Sequence, residues 1–262
     1  AAQRGEALAA IGTLEEAGGD MGAALAAYEA SLDVYPRGAS GARAAWAVIR
    51  IGAVDAEEAL RSARILDQVR ENHQALQAYE RHLAALPEAV QPEPDVLLAR
   101  ARLLSAVGTH EAAVVEFRKM VETDDPEFEL RVLDEWHAAR SRQGRRDAVR
   151  TIEGWMIDRF PESRQAVDIV VERGHAALAR GAYAEAAAGY ERAIAMEPSH
   201  ASAELARMRL GQIRLQQNDH EAAAQVFGSY LEEFPTGRRW AEAAYWRARS
   251  LRALGRDESA LE

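Results

Sequence analysis

ERGHAALARGAYAEAAAGYERAIAMEP, residues 172–198, is followed at a spacing of 37 residues by RLGQIRLQQNDHEAAAQVFGSYLEEFP, residues 209–235. The two stretches align without gaps. Gly174 falls on Gly211 and Tyr190 on Phe227, and each stretch ends in proline. An in-phase repeat of this length is typical of proteins that stack one supersecondary unit many times.

The same pattern extends toward both ends of the chain. Its small apolar anchor recurs at Ala24, Ala75, Ala113, Val149, Ala186, Ala223 and Ala260. Successive gaps are 51, 38, 36, 37, 37 and 37 residues, and the surplus in the first gap, RGASGARAAWAVIRIG (37–52), predicts an extra helix. The units predicted from the repeat are residues 5–36, 37–87 with the extra helix, 94–126, 130–161, 167–198, 204–235 and an incomplete 241–262.

Each unit reads as two amphipathic helices. The chain is 48% hydrophobic but only 6% aromatic, with few glycines and prolines, which favours an all-α protein. Glycine or asparagine at the central turn tolerates positive φ, and Thr109, Asp219 and Asp257 are predicted to cap the second helix. One hairpin cannot bury its own apolar stripe, so the units must stack.

This pattern resembles the tetratricopeptide repeat family, whose positions match Gly174, Ala186, Tyr190, Ala193 and Pro198. The resemblance implies a single domain over residues 1–262, a right-handed superhelix (α-solenoid) of about six and a half helical hairpins. The fourth unit departs from the pattern because Glu153 stands where an aromatic residue belongs, so that unit is predicted to be irregular.

The segment AEAAYWRARSLRALGRDESALE (241–262) resembles the N-terminal superhelical region of soluble lytic murein transglycosylases. The resemblance implies a periplasmic protein whose catalytic domain follows residue 262. Because only Glu258–Glu262 remain for the last second helix, the sequence also predicts that the native chain continues.

Composition excludes several function classes. The net charge of −10 disfavours nucleic acid as a partner, and the absence of cysteine excludes disulfides and thiolate metal sites. We expect no membrane span, no metal site, no cofactor and no catalytic residue in this chain. Glu-Ser, the dipeptide that holds the transglycosylase acid, occurs at 162–163 and 258–259 without the motifs that follow it in that family.

A stripe along the first helix of each unit is predicted to face the concave side, where repeat scaffolds bind ligands. Its candidate ligand-binding residues are Arg64, Arg102, His175, Gln212, Tyr245 and Arg249. The alternative is a solvated face without a ligand.

Trp246 occupies a position that is charged in most other units. It lies about 160° from Ala248, which we take as the packed face. The helix phase therefore predicts an exposed Trp246 that contacts a downstream domain.

The first hypothesis for function is a non-catalytic module that holds peptidoglycan strands and positions a downstream transglycosylase domain. The alternative is a tetratricopeptide scaffold of the bacterial cell envelope that binds protein partners.

Overall fold

The computed structural model describes residues 1–52 and 54–260 of the chain. This part of the chain contains fourteen α-helices and no strand, which confirms the all-α helical-repeat prediction. The helices are α1 (Ala2–Gly18), α2 (Met21–Val34), α3 (Gly38–Ile51), α4 (Ala56–Gln68), α5 (Asn72–Ala85), α6 (Pro94–Ala106), α7 (His110–Lys119), α8 (Pro126–Arg142), α9 (Arg146–Arg159), α10 (Arg164–Ala179), α11 (Tyr183–Met196), α12 (Ala201–Gln216), α13 (His220–Glu233) and α14 (Trp240–Ala253).

The chain divides into two compact units, residues 1–143 and 144–262. The first contains eight helices, in which α1 packs on α2, α4 on α5 and α6 on α7, together with α3 and α8. In the second, α10 packs on α11 and α12 on α13, and α14 packs on α13. Helix α3 occupies the surplus segment of the first long repeat.

Helices α8, α10 and α12 begin three or four residues earlier than the repeat alignment suggests, and a capping side chain precedes each of them. Ser163 Oγ accepts from the backbone N–H of Ala166 at the start of α10. Pro126, interpreted from the sequence as the end of a repeat, is instead the first residue of α8. Proline fits this position because the first turn of a helix has no use for its missing N–H.

The turns within the hairpins adopt the predicted left-handed conformation. Gly19, Gly181 and Asn218 have φ of 86°, 74° and 57°. Arg70 has φ of 65° at the corresponding turn of the second repeat, although an arginine pays a steric penalty there.

The three predicted caps have different outcomes. Asp219 accepts from the backbone N–H of Ala222 at 3.0 Å, as predicted. Thr109 caps nothing through its side chain, because its hydroxyl donates to the carbonyl of Leu104 at 2.8 Å. Asp257 lies in a turn that extends to Ala260, and the remainder of the predicted last helix, residues 261–262, lies outside the described residues.

Close approach between the two helices of a hairpin depends on the glycine of the first and the aromatic ring of the second. A Cβ added at Gly211 would lie 2.5 Å from Cζ of Phe227, and one at Gly174 would lie 2.8 Å from Cε1 of Tyr190. Both rings are fully buried. The ring therefore occupies the space that the missing side chain leaves.

The fourth repeat differs at the position of this ring. Glu153 takes its place and pairs with Arg173 of α10 at 2.7 Å. The boundary between the two compact units, at Gln143 and Gly144, falls inside this same repeat.

No helix in the described part of the chain is long and apolar enough to cross a membrane.

Candidate functional site

The unit of residues 144–262 contains a groove of about 850 Å³, here called the C-terminal groove. Its walls come from the first helices of successive repeats, α10, α12 and α14, and from the residues that open α11 and α13. Helix α12 contributes Arg209, Gln212 and Gln216, and α14 contributes Trp246 and Arg249. Leu178 and Ile213 supply apolar surface.

The lining residues follow the repeat. Trp246 stands 37 residues after Arg209, and Arg249 stands 37 residues after Gln212. Within each helix the two positions are three residues apart and therefore lie on one face. Equivalent positions of neighbouring repeats thus form a ladder of side chains across α12 and α14.

Two arginines define the polar character of the groove. Arg209 Nη1 donates to Oε1 of Gln212 at 3.1 Å. The guanidinium of Arg249 lies 5.2 Å from the centre of the Trp246 ring, a cation–π distance. Tyr245, also in the predicted stripe, packs edge-on against Trp246 at 5.0 Å and is 59% exposed.

The prediction that Trp246 is exposed is wrong. The residue is half-buried and packs against the cluster that includes Phe227 and Tyr230. The error lies in the reference face. Helix α14 packs on α13 through Ala243, Ser250 and Leu251, and Trp246 stands three residues from Ala243 and four from Ser250.

Ala248, assumed to mark the packed face, is itself only half-buried. Trp246 therefore forms one wall of the C-terminal groove. Its contact with a downstream domain stays a prediction.

His175, another residue of the predicted stripe, is directed toward the core and not into the groove. Its ring packs edge-on against Tyr190 at 5.6 Å, and it is not among the described residues that line the groove. The Nε2 atom of His175 and the hydroxyl of Tyr190 are buried and have no hydrogen-bond partner in the described part of the chain. Burial raises the pKa of Tyr190 to about 12.

The two predicted site residues of the first unit are ion-paired. Arg102 is bound to Asp67. Burial disfavours its charged form, but the hydrogen bond and charge of Asp67 outweigh this and raise the pKa of Arg102. Arg64 pairs with Glu93 at 3.1 Å and lines a separate groove of about 720 Å³, the N-terminal groove, with residues of α4.

A hydrolytic or transfer site is not evident in the described residues. Glu162 and Glu258 are exposed, the latter in a turn. One serine, histidine and aspartate do meet at the start of α12, but Ser202 donates its hydroxyl to Asp168, and His200 accepts the backbone N–H of Ser202. The histidine therefore cannot act as a base on that hydroxyl. The described residues also hold no cluster suited to a metal ion.

Residues 177–249 match the tetratricopeptide repeat family, a stretch that includes most of the groove. Over this stretch, the chain is similar to tetratricopeptide repeats. No curated protein matches the sequence.

Solved structures of tetratricopeptide proteins resemble the chain at low identity. The C-terminal part of a repeat protein from Cytophaga hutchinsonii is 12% identical, with a TM-score of 0.49 over 95% of this chain and 89% of that one. A repeat protein from Parabacteroides merdae is 17% identical, with a TM-score of 0.38 over 95% and 99%. The TPR2AB domain of yeast Sti1, in a complex with pHSP90, is 13% identical, with a TM-score of 0.35 over 95% and 99%. These likenesses are too remote to bear on a ligand.

Sequence reasoning missed Arg209 and His220 as groove residues. Arg209 stands 37 residues before Trp246, so the in-phase comparison could have found it. His220 is the first residue of α13, a second helix of its repeat, whereas the predicted stripe follows the first helices. Only the structure places His220 in the groove.

Proposed function

We propose that this protein is a binding scaffold for protein partners and that the C-terminal groove receives an extended segment of such a partner. The observation that carries the proposal is the ladder of Arg209, Gln212, Trp246 and Arg249 across two successive repeats. Repeat scaffolds use surfaces built in this way to bind their ligands. The match of residues 177–249 to the tetratricopeptide repeat supports the same reading.

The shape and lining of the groove favour a polypeptide ligand. Its residues come from five successive helices, α10 to α14, so it extends along the repeats. Amide side chains at Gln212 and Gln216 can both donate and accept hydrogen bonds, which suits the backbone of an extended chain. The apolar side chains beside them offer contacts for its side chains.

A site-specific crosslinking experiment tests this function. A photoreactive benzoylphenylalanine at Gln216, in the groove, should form adducts with a defined protein in the cells that produce the chain natively. The matched control carries the same group at Arg192, an exposed residue of α11 that does not line the groove. Adducts at Gln216 should also disappear when Arg249→Glu is introduced. Equal adducts at both positions, or adducts indifferent to Arg249→Glu, would remove the groove as the binding site.

The peptidoglycan hypothesis stays a second proposal, because one observation favours it. The segment that resembles lytic transglycosylases, residues 241–262, contributes Trp246 and Arg249 to the groove. Aromatic and arginine side chains can contact sugar rings and the carboxylates of a glycan peptide. The comparisons with known proteins give this reading no support, and its periplasmic location and downstream catalytic domain rest on the resemblance alone.

Sedimentation with purified sacculi distinguishes the two proposals. A peptidoglycan module should sediment with sacculi, and Arg249→Glu should release it. We would not repeat this test at Arg102, since a glutamate there would face Asp67 and disturb the fold. A protein scaffold should stay in the supernatant.

A further inference from the structure

The C-terminal groove is positively charged on an acidic protein. The chain carries 42 acidic and 32 basic residues, yet the twelve lining residues of the groove include two arginines, one histidine and no carboxylate. A negative protein repels acidic ligands over most of its surface, so a basic groove concentrates them at one place.

The charges of the two groove arginines are not neutralised by ion pairs with the protein's own carboxylates. Among the described residues, neither Arg209 nor Arg249 has a carboxylate within ion-pair distance. The nearby acids of α13 are engaged elsewhere: Asp219 caps the helix, and Glu221 pairs with Arg256 at 2.9 Å. The positive charge of the groove is therefore available to a ligand.

The N-terminal groove provides an internal comparison. It also contains arginines, but Arg61 pairs with Asp33 at 2.8 Å and Arg64 pairs with Glu93 at 3.1 Å. Its lining includes three acidic residues. Two of the three arginines that line this groove are thus paired with carboxylates of the protein, whereas neither arginine of the C-terminal groove is.

His220 adds an observation of a different kind. Its Nδ1 atom is buried and has no hydrogen-bond partner in the described part of the chain, although the residue lines the groove. A buried polar atom without a partner is unfavourable, and a ligand that bonds to it would relieve the cost. His220 also opens α13, where the helix dipole favours a negative group.

From these observations we infer that the groove binds an extended acidic segment of a partner protein, through side-chain carboxylates that pair with Arg209 and Arg249. This inference rests on the proposed function and names its ligand class. An extended chain advances about 3.3 Å per residue, and its side chains alternate between its two sides. Two carboxylates four residues apart would therefore lie on the same side, about 13 Å apart, where the long side chains of Arg209 on α12 and Arg249 on α14 can meet them. An apolar side chain midway between them points to the same side and would lie against Trp246.

The experiment measures fluorescence anisotropy of labelled peptides with the full chain. The probe is a nonapeptide, acetylated and amidated at its ends, with glutamate at its third and seventh positions, phenylalanine at its fifth, and glycine and serine elsewhere. The first comparison peptide replaces both glutamates by glutamine. The second lacks both glutamates but has a free terminal carboxylate, which separates side-chain from terminal recognition.

We expect the acidic peptide to bind about ten-fold or more tightly than its glutamine analogue, since charge-assisted hydrogen bonds are about twice as strong as neutral ones. Arg209→Gln and Arg249→Gln should each remove most of this preference, whereas Arg192→Gln, outside the groove, should leave it unchanged. Circular dichroism should be the same for all three variants.

Equal affinity for the acidic and glutamine peptides would overturn the inference, as would preference for the free terminal carboxylate. Either result would leave the scaffold function standing if crosslinks at Gln216 still depend on the groove. If the chain with an intact Arg249 forms no more crosslinks at Gln216 than at Arg192, in contrast, the function itself is refuted, so the two failures are distinguishable.

Discussion

Replacing Gly211 by alanine tests the packing that brings the two helices of a repeat together. The added Cβ would lie 2.5 Å from Cζ, 2.6 Å from Cε1 and 2.9 Å from Cε2 of Phe227. These distances are shorter than carbon atoms tolerate, and the ring is fully buried, so it can move only by disturbing its neighbours. Overpacking of this kind costs about 1–3 kcal/mol.

Helix propensity acts in the opposite direction. Alanine favours a helix over glycine by about 1 kcal/mol, so the net loss for Gly211→Ala should be about 0–2 kcal/mol. Gly154 is the matched control, because it also lies inside a helix of the second unit and nothing stands within 4 Å of an added Cβ. Gly154→Ala should stabilise by up to about 1 kcal/mol.

The difference between the two variants cancels propensity and isolates the clash. We expect it to be about 1–3 kcal/mol, which corresponds to roughly 1 M in the urea midpoint followed by circular dichroism. Phe227→Leu should reduce the cost of Gly211→Ala, since leucine lacks the outer ring atoms. If Gly211→Ala stabilises as much as Gly154→Ala, the close approach does not restrain this position.

Three further changes probe local features. Arg70→Gly should stabilise the protein by about 0.5 kcal/mol in urea denaturation. Glycine removes the steric cost of an arginine at positive φ, and this gain exceeds the cost of ordering the more flexible glycine on folding. Destabilisation would contradict this prediction. Asp219→Ala should lower the free energy of unfolding by about 1 kcal/mol, and Thr109→Ala by less, since only Asp219 caps its helix; equal losses would refute the assignment. Burial, together with repulsion from Glu29, raises the pKa of Glu58, so ionisation destabilises the folded state. Glu58→Gln should therefore stabilise at pH 7, with the gain lost below about pH 4.5, where glutamate is protonated in both states.

The hairpins could be predicted from the sequence because the repeat encodes a contact. Gly174 and Gly211 each stand 16 residues before a buried aromatic ring, and the structure brings each glycine against that ring. The ends of the helices were harder to predict from the sequence. Thr109 has the right residue type for a cap, but its hydroxyl bonds to the preceding helix, a choice that depends on local geometry and not on spacing.

The site could be predicted only in part. Gln212 and Arg249, two residues of the predicted stripe, line the groove, but His175 occupies the same repeat position and faces Tyr190. That the stripe binds a ligand stays a prediction. Position in the repeat fixes the helix face on which a residue lies, while the direction and burial of its side chain depend on what the neighbouring helix presents. The sequence therefore predicts which repeat positions form the ladder. It does not predict whether the side chain at each position lines the groove or packs into the core.

Some arginines of this chain pair with an acidic residue about one repeat earlier, and the sequence shows where such a partner is missing. Arg102 has Asp67 35 residues before it and pairs with that carboxylate. Arg256 likewise pairs with Glu221, 35 residues earlier. For Arg249 the corresponding residues, 212–214, are glutamine, isoleucine and arginine, none of which can neutralise it. The spacing that pairs Arg102 and Arg256 with carboxylates thus leaves Arg249 over the Trp246 ring without such a partner, which is why we infer an acidic ligand for this groove.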